Sequence, residues 1–93
     1  MKTIAVVSSV KQFKQSFVPS LLDSTPITQV FGDREVMTGT GKKKRRYICI
    51  NEVRQCRGLK IDELILHGGW IFLPNHVELV DEIRARIEMG KIK

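Results

Sequence analysis

Five consecutive cations, Lys42, Lys43, Lys44, Arg45 and Arg46, form the densest charge in this 93-residue chain. Ammonium and guanidinium groups packed this closely have one evident chemistry, the neutralisation of phosphates or carboxylates on another molecule. The formal net charge is +6, so the rest of the chain carries only +1. The basicity is therefore one local feature. Gly39 and Gly41 precede the run, which reads as a basic loop or hairpin tip of the kind that can follow a phosphate backbone. Tyr47 adjoins it. Its ring either stacks on a base or begins a buried strand.

A second group, Ser8, Ser9, Asn51 and His67, falls where strands are expected to end. Ligands of α/β sheets bind outside the carboxyl ends of strands, so these four residues form a candidate ligand pocket. Each also has a plain structural reading: Ser9 as a helix cap, Asn51 as the cap of a short helix, His67 as a turn residue. Asp62, Glu63 and Glu52 are too scattered for a metal-dependent nuclease. Cys49 and Cys56 are not spaced as a CxxC pair, and with two histidines no zinc set is visible. No catalytic residue, metal or cofactor is expected. Both cysteines fall at apolar positions and read as buried thiols of a reduced, cytoplasmic protein. No signal-peptide pattern is seen, and no stretch approaches the ~20 apolar residues of a membrane helix.

These residues must be held by a small framework. Thr3–Val7 is β-branched and apolar, as a central strand would be. Ser9 to Gln12 has the form of a capping box, and Val10, Phe13 and Phe17 give the following helix one apolar side. Pro19 should end or kink it near Phe17, with one more turn at Leu21-Leu22. Residues 27–31 and 35–38 read as strands around a turn at Gly32. Residues 47–50 and 61–66 are two apolar runs joined by a short helix at Val53 and Cys56, with Gly58 at positive φ behind it. This predicts a parallel βαβ unit. Residues 70–73 read as a last short strand. Asn75 should cap a final helix with Val77, Val80, Ile83 and Ile87 on its apolar stripe, closed by Gly90. The expectation is a single α/β domain over 1–93: four to five mostly parallel strands, helices packed on them, and Rossmann-like or P-loop-like topology. Its sheet edges leave a homodimer open.

Three segments carry a resemblance: IAVVSSVKQFKQSFVPSLL, VFGDREVMTGTGKKKRRYICI and VRQCRGLKIDELIL. Over residues 3–67 their order resembles part of a P-loop ATPase core, as in phage terminase large subunits and superfamily 1 helicases. The chain departs from that family at both phosphate-handling motifs. It has no G-x-x-x-x-G-K-[ST], and His67-Gly68 stands where the metal-binding acids would be. The resemblance thus implies a fold of that type, of phage or mobile-element origin, that does not hydrolyse ATP. Together the readings point to a non-enzymatic module binding DNA or RNA through Lys42–Arg46. The alternatives are an inhibitor or adaptor docking on an acidic protein surface, and a nucleotide-binding protein using the strand-end pocket.

Overall fold

The computed structural model describes residues 1–91. Five strands form one sheet: β1 (Lys2–Val7), β2 (Ile27–Phe31), β3 (Glu35–Thr38), β4 (Arg45–Ile50) and β5 (Glu63–Leu66), in the order β2-β3-β4-β1-β5. β1 pairs in parallel with both β4 and β5. β2 pairs antiparallel with β3, and β3 with β4. The sheet is therefore mixed, which corrects the expectation of a mostly parallel one. A three-stranded parallel half carries an antiparallel hairpin on its flank.

β1 is central because it has no charge after Lys2 and can be covered on both faces. Ala5, Val6 and Val7 have no exposed surface. Alternation along the strands sorts two cores. Ala5, Val7, Ile48 and Ile50 face one way, towards Cys56, Ile61, Leu79 and Ile83. Ile4, Val6, Tyr47 and Cys49 face the other, towards Phe13 and Phe17.

The βαβ expectation needs a correction. The strands around residues 47–50 and 63–66 are parallel, but they are not neighbours: β1 lies between them. The connection starts with a 3₁₀ turn over Val53–Cys56, capped by Glu52 rather than Asn51, with the Gln55 side chain returning to the cap. Gly58 follows at φ 74°, as its position behind that turn requires. β5 begins at Glu63, later than the apolar run suggested. Asp62 instead hydrogen-bonds across to β1, its carboxylate accepting from the Thr3 N–H at 2.8 Å and its own N–H donating to Thr3 O at 2.9 Å.

Ser9 caps the first helical segment, accepting from Gln12 N–H at 3.2 Å. That segment is α1 (Val10–Gln12), a π turn (Phe13–Phe17) and α2 (Val18–Ser24) in continuous succession. Pro19 therefore does not end the helix. Proline lacks an N–H and its ring crowds the carbonyl four residues back. The wider π turn, with Val18 N–H donating to Phe13 O, carries the chain past that conflict. Residues 70–72 are a 3₁₀ turn, not a strand. Helix α3 (His76–Lys91) starts after Asn75, at φ 59°, whose carbonyl accepts from Leu79 N–H at 2.9 Å. Gly90 lies within α3 and does not close it.

Candidate polyanion-binding site

The antiparallel pairing of β3 and β4 makes residues 39–44 a hairpin loop, with Thr38 opposite Arg45. The loop is built on its backbone. A 3₁₀ turn over Gly41–Lys43 is closed by Lys43 N–H to Thr40 O at 3.1 Å and Lys44 N–H to Gly41 O at 3.4 Å. Lys2 N–H donates to Lys44 O at 3.2 Å, which fastens the loop to the end of β1. Gly39 has φ 75°, and a Cβ built there would lie 2.9 Å from the Lys43 carbonyl carbon and closer still to its oxygen. Only glycine fits this position on both counts.

These constraints gather cations on one edge of the molecule. Lys2 and Arg45 stand side by side in the β1–β4 register. Together with Lys42, Lys43 and Lys44 they line a concavity of about 400 Å³. Among the described residues no carboxylate pairs with Lys42, Lys43, Lys44 or Arg45. Lys2 reaches Glu63 at 3.5 Å with both side chains about half exposed, a contact worth little in water.

Two members of the expected site stand apart. Arg46 points onto the sheet and is gripped by Glu35 through two hydrogen bonds, at 2.7 and 3.0 Å. That hydrogen bonding raises the Arg46 pKa above its ordinary value against the opposing effect of burial. Its charge is spent internally, so the exposed cluster is Lys42–Arg45 with Lys2, not the whole run. Tyr47 is 7% exposed and packs on Phe17 with ring centroids 5.7 Å apart. It offers no face to a base. Lys2 was missed because it is distant in sequence and reaches the loop only through the parallel β1–β4 pairing.

The second expected group is brought into one row. Asn51, Ser8 and His67 directly follow Ile50, Val7 and Leu66, which are in register across β4, β1 and β5. The two serine hydroxyls are engaged within the fold. Ser8 is fully buried and its hydroxyl donates to Ser9 O at 2.9 Å. Ser9 is the helix cap. The Asn51 N–H donates to Gln55 Oε1 at 2.8 Å. The His67 ring stands edge-on to Phe17 with centroids 5.5 Å apart, its Nε2 buried and without a hydrogen-bond partner.

Another concavity, about 580 Å³, takes only Asn51 of these four and adds Arg34, Glu52, Asn75 and Glu78. It mixes both signs of charge, and Glu52 is already engaged by Arg54. The concavity lined by Lys2, Lys42, Lys43, Lys44 and Arg45, by contrast, carries charge of a single sign. Burial pushes the thiols of Cys49 and Cys56 above the usual range, so neither is primed as a nucleophile. No group of three or more potential metal ligands occurs among the described residues. No helix among them is long and apolar enough to cross a membrane. No family model, curated protein or solved structure matches the chain.

Proposed function

We propose that this protein is a non-enzymatic module that holds nucleic acid by its phosphates. The observation that carries the reading is the concavity formed by Lys2, Lys42, Lys43, Lys44 and Arg45. Its cations converge from two strands and a loop whose backbone is fixed, and four of them have no internal carboxylate among the described residues. The loop backbone is ordered before binding, so the ordering cost is confined to the exposed side chains. In the same reading the chain is a non-hydrolysing relative of the P-loop ATPase core, from a phage or mobile element, with its phosphate contacts on the hairpin.

One observation favours the acidic-protein reading: Phe72 is 85% exposed, with Ile71 and Val77 also exposed. Exposed apolar groups of this size anchor protein partners. They follow β5, however, at the carboxyl edge of the parallel strands, whereas the cations lie at the amino edge. Six residues of β1 span roughly 20 Å between those edges at about 3.3 Å per residue. A partner would have to wrap the sheet to use both, so we rank this reading second.

The test is fluorescence anisotropy with labelled nucleic acid, comparing wild type with the fourfold change Lys42→Ala, Lys43→Ala, Lys44→Ala, Arg45→Ala. Loss of binding with an unchanged circular-dichroism spectrum supports the proposal. Undiminished binding by the variant overturns it. Binding to an acidic polypeptide at equal ionic strength, with none to nucleic acid, transfers support to the second reading.

A further inference from the structure

The placement of the aromatic rings relative to the cations says what form of nucleic acid the site takes. Six side chains of the chain are aromatic. Phe13, Phe17 and Tyr47 are buried in the core beneath the first helix. Trp70 packs against the opposite core and stands edge-on to His76 at 5.6 Å. Only Phe31 and Phe72 are well exposed. Phe31 is opposite Glu35, and Glu35 is in register with Ile48, so the ring lies towards the carboxyl end of β4. Phe72 lies beyond the carboxyl end of β5. Both are thus displaced from Lys2 and Arg45 along the strand direction.

Proteins that hold single strands place aromatic faces beside a basic groove, because unpaired bases gain ~1–3 kcal/mol each by stacking on them. The cationic concavity here has no such ring beside it. A single strand seated on Lys42–Arg45 would leave its bases facing water. In a duplex the bases already stack on one another, and only a ridge of phosphates is offered outward. A concave cluster of cations without a stacking platform matches that ridge.

Resting on the reading of the site as a phosphate grip, we infer that its ligand is the sugar-phosphate backbone of a nucleic-acid duplex, held without base readout. The experiment compares a labelled 20-nucleotide DNA strand of mixed sequence with its 20-base-pair duplex, at 50, 100 and 200 mM salt, for wild type and the variants Phe31→Ala and Phe72→Ala. The inference expects duplex affinity about tenfold above single-strand affinity at 50 mM salt, the ratio narrowing about threefold by 200 mM because the duplex slope is steeper. It expects no more than about a twofold change in either variant, and the same affinity for an unrelated duplex of equal length. Single-strand affinity equal to or above that of the duplex overturns it while leaving the phosphate grip standing. A fivefold or larger loss of single-strand affinity in either aromatic variant does the same. Binding to neither form overturns the inference together with the reading beneath it.

Discussion

Gly39 and Gly41 provide a controlled test of whether the basic loop is a fixed structure or a loose tether. Both have positive φ, 75° and 58°. They differ in the space around them. A Cβ at Gly41 meets nothing within 4 Å, whereas one at Gly39 collides with the Lys43 carbonyl. The left-handed conformation costs an alanine about 1–2 kcal/mol, partly offset by about 0.4–1 kcal/mol from a stiffer unfolded chain. Gly41→Ala should therefore lose about 0.5–1 kcal/mol by that difference. Gly39→Ala bears the same cost and must also push the turn aside. That endangers the hydrogen bonds from Lys43 N–H to Thr40 O and from Lys44 N–H to Gly41 O. At roughly 0.5–1 kcal/mol each for exposed bonds, the total rises to about 1.5–3 kcal/mol. Urea denaturation of the two variants against wild type measures the difference. The same samples in the anisotropy assay should show Gly39→Ala binding more weakly than Gly41→Ala, although neither changes a charge. Equal destabilisation by the two substitutions, or wild-type binding by a destabilised Gly39→Ala, would refute the claim that this loop is preorganised.

Other outcomes follow from the packing. Glu35→Gln leaves a half-buried guanidinium without its carboxylate, and should cost about 1–2 kcal/mol in urea, more than loss of the exposed Lys14–Asp33 pair by Asp33→Asn, which should cost under about 0.5 kcal/mol. Ile50→Ala, at a fully buried position of β4, should cost about 3–4 kcal/mol; a loss under 1 kcal/mol would mean that the core beneath α3 is not packed as described. Burial raises both thiol pKa values in the folded protein, so their stabilising effect is complete below the ordinary thiol pKa of about 8.5 and is lost as pH rises through the higher folded values. A Cys49→Ala, Cys56→Ala variant should accordingly lose less stability than wild type between about pH 8 and 10, and an identical slope would contradict this.

Much of the framework can be read from local pattern because it depends on local chemistry. The β-branched run at Thr3–Val7, the Ser9 cap, the turn at Gly32 and the positive φ of Gly58 each follow from a few adjacent residues. What local pattern does not carry is pairing order. Nothing within residues 47–66 indicates that β1 inserts between β4 and β5, because parallel strands joined by a crossover need not be neighbours. The same blindness hid the Glu35–Arg46 pair. With Met37 opposite Arg46, Glu35 is its diagonal neighbour across two strands, a relation visible only once the register is known. Lys2 escaped notice for the same reason. Pro19 misled in a different way: its local rule is sound, but a π turn supplies the relief that termination would otherwise provide.

The phosphate grip is tested most directly by the salt dependence of duplex binding. Four unpaired cations, Lys42 to Arg45, should give a slope of log affinity against log salt of about −3.6, at ~0.9 per phosphate neutralised. Between 50 and 200 mM salt the affinity should then fall about 150-fold, and by no more than about fourfold in the fourfold alanine variant, which keeps Lys2. An affinity that stays flat across that range, or a slope the fourfold variant leaves unchanged, would contradict the account.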